Sequence, residues 1–193
     1  MTDTNQAEIV IVSGLPRSGT SLMMQMLASA GLEVMTDDAR TADVDNPRGY
    51  FEMERVKGIR KDASWLPQAR GKVLKMVSLL LYDLPAGERY RIVFMERDLN
   101  EVLASQRKML IRRQQPLGHD EELRRYFELH LDKVQAWLRQ QSHIDVRNVC
   151  YNDLLRQPLA EAQRVCEFLG GALDAQQMAM VVDETLYRNR KPG

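Results

Sequence analysis

The chain has 193 residues, of which 44% are apolar and 28% charged. These are ordinary values for a globular protein of one domain, and they exclude disordered and fibrous classes. Lysine plus arginine equals aspartate plus glutamate, 27 each, which argues against a nucleic-acid coat or a polybasic membrane binder but leaves room for a local basic pocket.

The polar start, Met1 to Glu8, carries no basic residue, and the apolar run Ile9–Val12 is too short for the core of a secretory signal. That β-branched run has the character of a strand buried on both faces of a parallel sheet. It enters Ser13-Gly-Leu-Pro-Arg-Ser-Gly19, a loop by its glycine and proline content. Thr20 and Ser21 then open a helix with Leu22, Met23, Met26, Leu27 and Ala30 on one face, and Gly31 stops it. Thr36 to Tyr50 is polar and holds the turn Asn46-Pro-Arg-Gly49. A helix with a thin apolar face is predicted over Glu52–Leu66.

Lys72–Val77 and Arg91–Glu96 are predicted strands. The greasiest stretch, Met76–Leu84, is broken by Ser78 and Asp83 and falls well short of the roughly 20 residues of a membrane span. Asp98-Leu-Asn-Glu101 has the form of a capping box, launching a helix through Val102, Leu103, Gln106, Met109 and Leu110. A long helix follows over Asp120–Gln141. Asp145–Tyr151 is the last strand, with helices near Leu159–Leu169 and Ala175–Asp183 and a basic tail over Tyr187–Gly193. Strands alternating with helices predict an α/β fold: one domain over residues 1–193, with a parallel sheet of four to five strands. Cys150 and Cys166 have neither disulfide-framework nor metal-ligand spacing, so buried free thiols in a reducing, cytoplasmic setting are expected.

Gly14-Leu-Pro-Arg-Ser-Gly-Thr-Ser21 has the frame of a phosphate-binding loop, two glycines five apart followed by two hydroxyl residues. The glycines let successive amides converge on an anion, and the helix that follows points its positive end at the same place. In nucleoside triphosphatases lysine follows the second glycine. Thr20 stands there in this chain, and the loop's cation is Arg17, whose planar guanidinium can chelate a tetrahedral anion.

On these residues the chain resembles the sulfotransferases that use 3′-phosphoadenosine 5′-phosphosulfate (PAPS). Pro16-Arg-Ser-Gly-Thr-Ser21 looks like their 5′-phosphosulfate loop in its arginine form. Arg97-Asp-Leu-Asn-Glu-Val-Leu-Ala-Ser105 is similar to their 3′-phosphate motif, an arginine at a strand end with a serine eight residues later. Tyr151-Asn-Asp-Leu-Leu-Arg-Gln-Pro158 running into Cys166-Glu-Phe-Leu-Gly170 is a third likeness, so the resemblance spans Ile9 to about Gly170.

The resemblance implies a P-loop-like sulfotransferase architecture, PAPS as donor with PAP as by-product, and no metal. Arg17, Ser18, Gly19, Thr20 and Ser21 would hold the 5′-group, and Arg97 and Ser105 the 3′-phosphate. Tyr151 would contact the adenine, and the tail residues Arg188 and Arg190 fall where relatives close over the 3′-phosphate, although the glycine-rich form of that segment is missing here. Many relatives carry a histidine two residues after a strand lysine. Lys75 is present, but Val77 stands at the histidine position, and His119, His130 and His143 have the surroundings of surface or packing residues.

Other branches use a glutamate beyond the first helix. Glu52, ahead of Glu54 in Asn46-Pro-Arg-Gly-Tyr-Phe-Glu-Met-Glu54, is therefore the expected base, with Arg17 stabilising the leaving group and Lys75 the sulfuryl oxygens.

The expected function is sulfuryl transfer to a hydroxyl or amine on a small-molecule, carbohydrate or other acceptor, with Thr36–Tyr50 and Arg112–Glu122 as the expected acceptor loops. The rival readings are a small P-loop kinase or NTPase and a non-catalytic PAP-binding protein. Acceptor and oligomeric state are open at this stage.

Overall fold

The computed structural model describes residues 7–37, 49 and 51–182. Four parallel strands form one sheet in the order β2-β1-β3-β4, comprising β1 (Ile9–Gly14), β2 (Val73–Val77), β3 (Tyr90–Glu96) and β4 (Ile144–Cys150). Six helices accompany it among the described residues: α1 (Thr20–Ser29), α2 (Leu99–Arg112), α3 (Asp120–Leu138), α4 (Tyr151–Arg156), α5 (Pro158–Phe168) and α6 (Ala175–Met180).

The alternation along each strand divides the core into two layers. Ile9, Ile11, Leu74, Met76, Ile92 and Phe94 face one side, where they pack with Val134 and Leu138 of α3 and with Trp65 and Leu66. Val10, Val12, Val73, Val93 and Met95 face the other, against Met23, Met26 and Leu27 of α1 and Ala162 and Val165 of α5. A period of two on strands and of three to four on helices is what lets one sheet be covered on both faces.

The chain passes from β1 to β2 on one side, then crosses to place β3 on the other side of β1. The crevice above the carboxyl ends of β1 and β3 is therefore the topological switch point where ligands bind in open α/β sheets. Gly14, the last residue of β1, pairs with Val77 of β2 and Met95 of β3, so the loop that follows rises from the centre of that edge.

One expected helix is absent. Over Glu52–Leu66 the structure has a 3₁₀ turn at Glu54–Gly58 and, after an irregular stretch, a second at Leu66–Ala69. The buried side chains there, Val56, Ile59, Trp65 and Leu66, follow no helical period, and Pro67 sits at the start of the second turn. The segment works as irregular packing over one sheet face. A short helix not anticipated, α4, follows β4 directly, and Pro158 begins α5 at a position where proline is tolerated. Cys166 is buried, with its thiol pushed up by that burial, whereas Cys150 is only partly covered; both are free. No described helix is long and apolar enough to cross a membrane.

Candidate active site

The loop between β1 and α1 is built by close approach. A Cβ on Gly14, at φ 148°, would lie 2.5 Å from the Met95 carbonyl oxygen and 2.6 Å from Ser18 Oγ. One on Gly19, at φ 101°, would lie 2.3 Å from the Tyr151 ring. Both positions require glycine for space and for backbone angle. Ser18 closes the turn from inside, with its buried hydroxyl donating to the Leu15 carbonyl at 2.7 Å and its amide donating to the same oxygen at 3.2 Å. Arg17 adopts φ 71°, a left-handed angle that costs a non-glycine residue about 1–3 kcal/mol and is held only where neighbours enforce it.

Those neighbours come from the far side of the crevice. Arg17 Nε donates to Ser105 Oγ at 2.9 Å, and Arg97 Nη1 donates to the Arg17 carbonyl at 3.1 Å. Arg97 is held in turn by Glu101, Nε to Oε2 at 2.9 Å, with both side chains nearly sealed from solvent. Asn152 Nδ2 donates to the other Glu101 oxygen at 3.1 Å. The Arg97 guanidinium carbon lies 4.3 Å from the centre of the Tyr151 ring, a cation–π contact. Burial pushes the Tyr151 phenol up, partly opposed by the Arg97 charge, so the ring remains neutral.

Asp98 caps α2, its side chain accepting from the Asn100 amide at 2.9 Å. Glu101, the carboxylate of the expected capping box, is engaged by Arg97 and Asn152. Glu101 and Asn152 are residues that sequence reasoning missed as parts of this site. The four-residue spacing from Arg97 to Glu101 was the available signal for the first.

The other flank of the loop gathers three predicted residues. Lys75 Nζ donates to Ser21 Oγ at 3.1 Å and lies 3.7 Å from Glu52 Oε1. Glu52 is placed by its own backbone, whose carbonyl accepts from Thr36 Oγ1 at 3.0 Å, and it follows Phe51 at φ 52°. Thr20 is buried at the first turn of α1. The loop, Arg97, Ser105, Tyr151, Lys75 and Glu52 are thus brought around one crevice, while Arg188 and Arg190 lie outside the described residues. His130 and His143 are packing residues, the first hydrogen-bonded to Ser78 and the second edge-on to Tyr90.

The chain that builds this glycine loop, with Arg17 and Arg97 beside it at the switch point, is matched by a family model. The sulfotransferase domain model covers residues 7–192. The chain belongs to the sulfotransferase domain family. Among solved structures this sulfotransferase-family chain resembles a sulfotransferase from Alicyclobacillus acidocaldarius, with TM-score 0.50 and 14% identity over 84% of this chain and 81% of that one. It also resembles the sulfotransferase domain of the curacin biosynthetic pathway, with TM-score 0.53 and 14% identity over 97% of this chain and 93% of that one. At such identities the two likenesses speak for the fold. No curated protein sequence matches the chain.

Proposed function

We propose that this sulfotransferase-family protein moves a sulfuryl group from PAPS to a hydroxyl or amine, releasing PAP. The observation that carries the reading is the pair of contacts joining Arg17 to Ser105 and Arg97 to the Arg17 carbonyl. Two arginines from opposite ends of the crevice are held together where an elongated dianionic ligand would lie. The glycine loop suits a phosphate, since the amides of Gly19, Thr20 and Ser21 open α1 and stand at its positive end.

In this reading the first-turn amides, Arg17, Thr20 and Ser21 bind the 5′-phosphosulfate, and Arg97 and Ser105 bind the 3′-phosphate. The donor, when bound, supplies an activated sulfuryl group: the acceptor oxygen or nitrogen bonds to sulfur, the bond from sulfur to the 5′-phosphate oxygen breaks, and the acceptor loses one proton. Arg17 stabilises the charge left on the phosphate oxygen. Lys75, set between Ser21 and Glu52, would face the sulfuryl oxygens and hold the carboxylate in place. A Glu52 carboxylate oxygen accepts the acceptor's proton. Tyr151, packed under Gly19 and Arg97, supports the adenine end as a wall.

The test is a thermal-shift titration with PAP against ADP, ATP and GTP, with and without Mg²⁺. PAP at 100 times its dissociation constant adds about 2.7 kcal/mol, a rise of roughly 5–10 °C for a domain of this size. The expected result is a metal-independent shift with PAP that Arg97→Ala abolishes. A shift seen only with Mg²⁺ and a nucleoside triphosphate would replace this reading with a P-loop kinase or NTPase.

A further inference from the structure

Glu101 is a carboxylate buried directly behind an arginine that the transfer reading assigns to an anion. The residue is 3% exposed, and the Arg97 side chain it holds is 8% exposed. Both carboxylate oxygens are engaged, Oε2 by Arg97 Nε at 2.9 Å and Oε1 by Asn152 Nδ2 at 3.1 Å. Asn152 arrives on α4, 51 residues along the chain, so two separate elements fix the carboxylate. The same guanidinium donates from Nη1 to the Arg17 carbonyl and lies 4.3 Å from the centre of the Tyr151 ring.

A buried arginine needs a counter-charge, because an unpaired ion away from water is costly. Glu101 supplies it and sets the direction of the guanidinium before any ligand arrives. The same negative charge opposes the ligand that Arg97 is read to receive. Once a 3′-phosphate lies on Arg97, two anions flank one guanidinium, and at so short a separation they repel each other. Of Arg17, Arg97 and Lys75, the cations brought around the crevice, two already lie beside carboxylates, Arg97 at Glu101 and Lys75 at Glu52.

A pocket built for tightness alone has no use for that carboxylate. The reason for it lies in where the 3′-phosphate stands relative to the chemistry. That group takes no part in sulfuryl transfer, so contacts to it strengthen donor, transition state and PAP alike. Such uniform binding does not speed the chemical step. Beyond what donor capture needs, it only delays the departure of product.

Resting on the sulfuryl-transfer reading, we infer that Glu101, held by Asn152, is a positioning residue and the resident counter-ion of Arg97. It aims the guanidinium at the 3′-phosphate and, by its charge, loosens the hold on PAP so that the product leaves.

The experiment is isothermal titration calorimetry of the full chain with PAP and with AMP, which lacks the 3′-phosphate, alongside thermal denaturation. Glu101→Gln removes the charge and keeps the shape, and its amide can bond both Arg97 and Asn152 once the Asn152 amide turns over. The Kd for PAP should fall roughly tenfold, about 1.4 kcal/mol, while the Kd for AMP is unchanged. Without ligand the variant should melt earlier than the unaltered chain, and its rise with PAP should be larger. Asn152→Ala keeps the charge but frees the carboxylate to move, so its Kd for PAP should rise severalfold, the worth of one hydrogen bond.

A purely structural carboxylate predicts the earlier melting of Glu101→Gln without any gain in PAP affinity, and that result overturns the proposal. So does a gain shared equally by AMP, or a Glu101→Gln chain that stays unfolded at saturating PAP. Unchanged PAP affinity in Asn152→Ala overturns it as well. All of these sink this inference alone when the unaltered protein binds PAP. No PAP binding by the unaltered protein sinks the transfer reading beneath it.

Discussion

The two flanks of the phosphate loop are built to different standards. On the β3 side, Arg97, Glu101, Asn152, Ser105 and Tyr151 interlock through side-chain hydrogen bonds of 2.9–3.1 Å and a cation–π contact, and the arginine–glutamate pair is nearly sealed from water. On the β2 side, Lys75 Nζ donates to Ser21 Oγ at 3.1 Å and lies 3.7 Å from Glu52 Oε1, and the Glu52 side chain is about a third exposed. Under the proposed reading the contrast is a division of labour. A ligand of invariant shape would be met by a rigid, preorganised pocket, whereas the side that takes a proton would need access to solvent and acceptor.

The largest way to break this comparison is on the loose side. Glu52→Gln should lower the rate of sulfuryl transfer by about 10²–10⁴-fold while the thermal shift with PAP is kept, since the β3 flank is untouched. Single-turnover transfer alongside the PAP titration measures both, and a variant that still turns over at the unaltered rate removes Glu52 as the base.

A middle effect tests the rigid side. Gly19→Ala forces a methyl into the Tyr151 ring at a left-handed backbone angle. Overpacking and the αL penalty together predict a loss of about 2–5 kcal/mol in chemical denaturation. Gly58→Ala is the control, because nothing lies within 4 Å of its Cβ position. Equal effects at the two sites would mean that the Gly19–Tyr151 contact does not constrain the loop.

The smallest effect is a pH dependence. Burial holds the His130 imidazole below its ordinary value of 6.5. As pH falls through that ordinary value, the unfolded chain takes a proton that the folded one refuses, so this contribution to stability is present above it and is lost toward acid. His143, lowered by burial and by Arg89, acts in the same direction. Denaturation midpoints from pH 7 to 5 should therefore fall less steeply in His130→Gln than in the unaltered chain, and parallel slopes would refute the assignment.

Much of the fold was legible because its signals are local. The β-branched run Ile9–Val12, the glycines five apart and the amphipathic helix behind them imply strand, loop and helix without any distant partner. Arg97 and Ser105 were readable for the same reason, since a strand end followed by helical spacing puts an arginine and a hydroxyl over one edge of the sheet. Glu52–Leu66 was misread because a thin apolar pattern does not distinguish a helix from irregular packing, and tertiary contacts of Val56, Ile59 and Trp65 decided it.

What the sequence by itself determined is the α/β alternation and the glycine loop between β1 and α1, with its arginine and hydroxyls. What only the tertiary structure decided is which groups meet. Arg17 reaches Ser105 across 88 residues, Lys75 reaches Ser21 across 54, Asn152 reaches Glu101 across 51, and Tyr151 fills the space that makes Gly19 obligatory. Such pairings depend on the order β2-β1-β3-β4, which brings distant strand ends side by side, and local propensity carries no information about that order.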